Sequence, residues 1–124
     1  MSWQFDNERP IYTQLVEQLA LRMVTGVYAP GARLPSVREL AEEARVNPNT
    51  MQRAMSELEA KGLLRTERTS GRFVSEDAAL LENIRQDLAT GHVQAFLAHM
   101  ARLGYDKEAA LALAAGKGAE KYEH

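Results

Sequence analysis

The stretch SVRELAEEARVNPNTMQRAM, residues 36–55, contains two helix starts with almost no chain between them. Ser36 with Glu39 three residues on is a capping box: the hydroxyl accepts from the Glu39 N–H, and the carboxylate reaches back to the Ser36 N–H. Asn47 followed by Pro48 is a helix cap followed by a first helical residue whose missing N–H is not needed. The first helix buries Val37, Leu40, Ala41 and Ala44, and only Arg45, Val46 and Asn47 separate it from the second. Two short helices joined so tightly must pack at a steep angle, as a helix-turn-helix.

The flanking segments complete a small domain around this pair. A helix starts near Pro10, buries Ile11, Leu15, Leu19 and Met23 with Tyr12 and Val16 beside them, and stops at Gly26. YAPGARLPS, 28–36, is too short for a domain linker and reads as a turn between packed elements. At about 100° per residue, Met51, Ala54, Met55 and Leu58 share one face of the helix that begins at Pro48. Asn49, Arg53, Ser56 and Ala60 project from the opposite side, flanked by Thr50 and Gln52, and Lys61-Gly62 closes the helix. LLRTERTSGRFV then gives two short extended pieces, 64–67 and 72–74, around a polar turn at 68–71, which is a β-hairpin. The expected fold is mainly α with a small β-hairpin: a winged helix-turn-helix domain over residues 1–75.

From Ser75 onward the pattern is helical. Leu80, Leu81, Ile84 and Leu88 form one apolar stripe, and Val93, Phe96, Leu97, Met100 and Leu103 form another. The phase slips near Thr90-Gly91, so the helix bends there or a partner packs close on the glycine. Gly104 is a stop signal. Asp106 caps a last short helix, KEAALALAA, ended by Gly116, and the tail KGAEKYEH reads as frayed. Residues 76–124 are therefore expected to form a C-terminal helical dimerisation region. The second stripe is more than a lone helix on so small a domain can hide, which assigns it to a partner subunit; packing on the winged domain of the same chain is the alternative.

Composition removes whole classes of function. A hydrophobic fraction of 45% excludes disorder, and no apolar run approaches the roughly 18 residues of a membrane span. No secretory signal is visible in MSWQFDNERP, so a cytoplasmic location is expected, with no membrane partner. The absence of cysteine removes disulfides and thiolate metal sites. His92, His99 and His124 contain no HExxH pair, GKG at 116–118 follows a helix instead of opening one, and no nucleophile triad is organised. Neither an enzyme nor a cofactor or metal is expected. Net charge is −2, yet residues 1–74 carry ten Lys and Arg against nine Asp and Glu. In 33–74 the basic residues Arg33, Arg38, Arg45, Arg53, Lys61, Arg65, Arg68 and Arg72 outnumber six acidic ones. The basic charge sits, weakly, where the paired helices are.

A helix start carries free N–H donors and partial positive charge, which suits phosphates. Two such starts occur here, at Ser36 and Asn47, with Arg38 in the first turn of one and Asn49 and Thr50 in the first turn of the other. Asparagine reads adenine edges bidentately and arginine reads guanine, so Asn47 and Asn49 at the helix tip, with Arg53 one turn further on, suit a DNA major groove. RTSGR at the hairpin turn offers a close-approaching backbone flanked by Arg68 and Arg72, a composition that suits the adjacent minor groove. Each residue taken singly also has an ordinary explanation as a cap, a turn or a solvated charge.

Residues 10–74 resemble, nearly end to end, the DNA-binding domain of GntR-family bacterial transcription regulators. PGARLPSVRELA and VNPNTMQRAMSELEAKGLL carry the resemblance. The short helical remainder, ending RLGYDKEAALALAA, is similar to the YtrA subfamily, which has no large ligand-binding domain and dimerises through its C-terminal helices. The resemblance implies contacts with double-stranded DNA at Arg38, Asn47, Asn49, Thr50, Gln52, Arg53 and wing residue Gly71; Arg33, Ser36, Arg68 and Arg72 join them on the grounds given above. Dimer contacts are expected from Leu81, Ile84, Leu88, Val93, Phe96, Leu97, Met100 and Leu103. The usual wing, Gly-x-Gly-Thr-Phe-Val, departs here at Thr69 and Arg72, and Gln52 stands where many relatives carry arginine. The leading expectation is a homodimeric repressor of a palindromic operator, with a transporter operon as the target implied by the subfamily. A winged helix that binds proteins, or a regulator with a small-molecule effector among its C-terminal helices, are the competing classes. No residue pattern names an effector.

Overall fold

A computed structural model describes residues 2–117. Its elements are α1 (Ile11–Val24), α2 (Val37–Ala44), α3 (Pro48–Ala60), β1 (Leu64–Glu67), β2 (Gly71–Val74), α4 (Ala78–Arg102) and α5 (Lys107–Ala114). The architecture is mostly helical with a two-stranded antiparallel hairpin, the winged helix-turn-helix fold. The expected fraying of the tail lies, beyond Lys117, outside the described residues.

Two compact units divide the chain, one running to Gln86 and the other beginning at Asp87. The boundary lies inside α4, beyond the expected one at residue 75. Leu81 accounts for the difference. It is only 8% exposed, and Leu80 approaches Gly62 so closely that a Cβ there would meet its Cδ2 at 3.2 Å. The first turns of α4 thus finish the core of the first unit.

That core is built on α3. Met51, Met55 and Leu58 are fully buried, together with Leu15 and Leu19 from α1 and Leu40 from α2. Burial of side chains of this size contributes about 1.5–3 kcal/mol each. Both predicted caps are present: Ser36 and Glu39 form the reciprocal box, and Asn47 Oδ1 accepts the Asn49 N–H at 2.7 Å. The α2–α3 turn contains the sole non-glycine residue with positive φ among the described residues, Arg45 at 58°.

Two features have no counterpart in the sequence reading. Residues 31–34 are more than a turn: the Leu34 N–H donates to the Arg72 carbonyl (2.8 Å), and Gly31 and Ala32 exchange bonds with Val74. Arg33 bridges Phe73, so this segment flanks the hairpin as a third extended piece. The second feature is an N-terminal strap. Gln14, 2% exposed, accepts the Asp6 N–H and donates to the Asp6 and Arg9 carbonyls. Gln18, one turn on, makes the same pair of bonds to Gln4. The spacing fits because four residues of helix advance about 6 Å and two of extended chain about 6.6 Å. The strap carries Trp3 onto Arg22, whose guanidinium is 3.7 Å from the ring centroid. Arg22 is 2% exposed, donates to Tyr28 Oη and pairs with Glu43 at 3.7 Å.

In the second unit α4 continues unbroken through Thr90 and Gly91, and no other part of the chain lies within 4 Å of a Cβ placed on Gly91. The helix ends as expected: Gly104 has φ 94°, and the Tyr105 N–H donates back to the Met100 carbonyl. Asp106 caps α5 by accepting from the Ala109 N–H at 2.8 Å. No described helix is long and apolar enough to cross a membrane.

Candidate nucleic-acid interface

Helix α3 presents two faces that differ as its periodicity requires. Met51, Ala54, Met55 and Leu58 are fully buried, while Asn47, Asn49, Gln52 and Arg53 are exposed and Thr50 is half-buried. The cap occupies the Asn47 oxygen, so its amide nitrogen remains the group it can offer. Gln52 lies along the outer face, its amide donating to Ser56 Oγ at 3.3 Å. Arg53 lies over the ring of Tyr12 of α1, with its guanidinium carbon 3.7 Å from the ring centroid. Ile11, Tyr12, Asn49, Thr50 and Arg53 enclose a shallow depression of about 400 Å³ beside the start of α3. Tyr12 was expected only as part of the apolar face of α1, and no local pattern links it to a residue so distant in the chain.

The start of α2 is a second donor-bearing end. Ser36 and Arg38 are both exposed there. Among the described residues Arg38 makes no ion pair or hydrogen bond.

The hairpin separates its arginines into different roles. In the register Thr66 opposes Arg72, and both donate to Glu59 Oε1 of α3 at 2.6 Å. These bonds hold the Glu59 carboxyl below the usual carboxylate range, the Thr66 hydroxyl contributing most and Arg72 next, against partial burial. Arg72 is therefore not a free flank of the wing tip as expected; a carboxylate ties its guanidinium to the fold. Arg68, in the exposed turn, makes no ion pair or hydrogen bond among the described residues. Gly71 has φ 109°, and a Cβ there would lie 3.0 Å from Arg33 Nε. Both the backbone conformation and the packing of Arg33 thus call for glycine. Arg33 is exposed below the turn. Arg65, outside the expected set, pairs with Glu67 at 3.2 Å and lies over Phe73.

The expected dimer residues also divide. Leu81, expected at the dimer contact, is buried within the single chain at 8% exposure and offers little surface to a partner. Ile84, Leu88, Leu97 and Met100 are half-buried. Val93 (51%), Phe96 (37%) and Leu103 (71%) are exposed, and so is Leu111 of α5. Among the described residues of the second unit Ala110 alone is buried. His92 and His99 are exposed on α4, and among the described residues no three His, Cys, Asp or Glu converge as metal ligands; His124 lies outside them.

Comparison with known proteins gives a consistent result. The model for bacterial regulatory proteins of the gntR family matches residues 11–74. The uncharacterized HTH-type transcriptional regulator YhcF of Bacillus subtilis is 40% identical over 108 residues, 87% of this chain and 89% of YhcF. The HTH-type transcriptional repressor YtrA of the same organism is 45% identical over 69 residues, 56% of this chain and 53% of YtrA. A GntR family transcriptional regulator from Listeria monocytogenes superposes with a TM-score of 0.81 at 39% identity, over 90% of this chain and 98% of that one. The DNA-binding domain of AraR, solved in complex with operator ORE1, superposes with a TM-score of 0.52 at 26% identity, over 60% of this chain and 94% of that one.

Proposed function

The chain belongs to the gntR family of bacterial regulatory proteins, a transcriptional regulator with a DNA-binding domain, and on that premise we propose that it acts as a homodimeric repressor of an inverted-repeat operator. The observation that carries the dimer is the second unit, where among the described residues one alanine is buried while Val93, Phe96 and Leu103 stand exposed. Helices with so little core of their own gain stability by association. Two-fold pairing doubles the phosphate contacts of a winged domain that is barely basic over residues 1–74, and it matches a repeat whose half-sites lie about 10 base pairs apart.

Within each half-site α3 enters the major groove, with Asn49, Gln52 and Arg53 at base edges and Asn47, Thr50, Ser36 and Arg38 toward the backbone. Arg33, Arg68 and Gly71 serve the wing, and Arg72 acts by holding it. The resemblance of YtrA, named a repressor, supports repression over activation. The protein acts in the cytoplasm, and a transporter operon is its expected target.

Duplexes selected from a random pool with the full-length protein, followed by anisotropy titration of whole and half repeats, test this. The expected result is an inverted repeat bound far more tightly than its half-site, with reporter expression rising when the gene is removed. Equal affinity for repeat, half-site and random duplex at every salt concentration removes the operator reading and favours a protein-binding winged helix.

A further inference from the structure

We propose that Tyr12 is a positioning residue for sequence recognition: its ring holds the Arg53 guanidinium in place for base contact without consuming any hydrogen-bond donor. The proposal deepens the operator-binding function and rests on it. Arg53 could instead pair with Glu57, one turn further along α3. An arginine placed four residues before a carboxylate is the weaker of the two orientations on a helix. Among the described residues the guanidinium makes no ion pair and lies 3.7 Å from the Tyr12 centroid.

Stacking differs from an ion pair in its consequence for recognition. The five N–H groups of arginine lie in the guanidinium plane, so a ring beneath that plane leaves all of them available at its edge. An ion pair to Glu57 would occupy the same donors that must meet a base. Stacking also fixes in advance a long side chain that otherwise loses its rotamer freedom when it binds. Asn49 and Thr50 border the depression that Tyr12 and Arg53 line. The ring therefore determines where the arginine lies beside the first turn of α3.

The test uses the full-length protein, the selected inverted repeat and a random duplex of equal length. Tyr12→Leu keeps apolar bulk on the half-buried α1 face and removes the π face; Tyr12→Phe keeps both. Tyr12→Leu is expected to weaken binding to the repeat about two- to five-fold and to leave random-duplex affinity unchanged. Tyr12→Phe should match the parent, and the Tyr12→Leu loss should vanish in an Arg53→Ala background. In the free protein, NMR should show the Arg53 side-chain protons shifted upfield by the ring in the parent and in Tyr12→Phe, but not in Tyr12→Leu.

Additive losses in the double mutant overturn the positioning role while leaving the operator function standing. So does an equal loss on both duplexes, or a Tyr12→Phe protein as weak as Tyr12→Leu, which would mean that the hydroxyl touches DNA itself. A parent with no preference for any repeat overturns the operator function and the proposal together, and the ring shift then still reports whether the stack exists.

Discussion

Arg53 and Asn49 sit on an exposed face whose opposite side is fully buried, so changes there act on recognition with little effect on folding. Arg53→Ala or Asn49→Ala should cost roughly 1–3 kcal/mol of operator affinity and relax base preference, measured by anisotropy on the selected repeat and on single-base variants. Unchanged discrimination in both would remove α3 from base reading. Arg45 offers the reverse case. It holds φ at 58°, a region that costs most side chains about 1–2 kcal/mol. Glycine avoids that cost but raises the entropy of the unfolded chain. Arg45→Gly should therefore raise stability by about 0.5–1 kcal/mol in urea melts, and a loss would show that the Arg45 side chain stabilises the turn. At this scale the caps were legible because capping is local: Ser36 with Glu39, and Asn47 with Pro48, are complete within four residues. The Tyr12–Arg53 stack was not, because no short-range pattern encodes a contact between helices.

Among the elements, the hairpin combines a fixed base with an exposed turn. Glu59 receives Thr66 and Arg72 from opposing strands, and its folded-state pKa is lowered. A depressed carboxylate stabilises above its unfolded pKa, near 4.3, and the contribution fades as pH falls through the folded value. Thermal melts should accordingly show the parent more stable than Glu59→Gln near neutrality, with the gap closing in acid; a gap independent of pH would assign the effect to something other than the charge. The turn behaves differently. Arg68→Ala should weaken binding to all DNA alike and reduce the salt slope by about 1, whereas a change confined to one sequence would place Arg68 at a base. Two short extended pieces around a polar turn made the hairpin readable. They did not reveal the third extended piece at 31–34, whose Gly31 and flanking Pro30 and Pro35 read as turn punctuation, nor that Arg72 is committed to a carboxylate thirteen residues away in the chain.

For the whole molecule, α4 carries apolar residues in two phases. On an ideal helix the Leu81–Leu88 stripe and the Val93–Leu103 stripe are centred about 120° apart. The first includes a core residue of its own unit, and the second is where Val93, Phe96 and Leu103 are exposed. Phe96→Glu with Leu103→Glu should therefore convert a dimer to a monomer by sedimentation, with the winged unit's melting little changed; an unaltered sedimentation coefficient would move the interface elsewhere. The phase slip was visible in the sequence, but the extension of the first unit to Gln86 was not, since it depends on Leu80 meeting Gly62. The strap has its own bearing on where this protein can be cut. The family match opens at Ile11, yet Trp3 covers the buried Arg22 and both Gln14 and Gln18 are bonded to backbone before that point. A chain trimmed to the matched segment would lose the indole from Arg22 and the backbone partners of two glutamines, so it should melt below the full chain although it keeps the whole stretch by which its kinship is recognised.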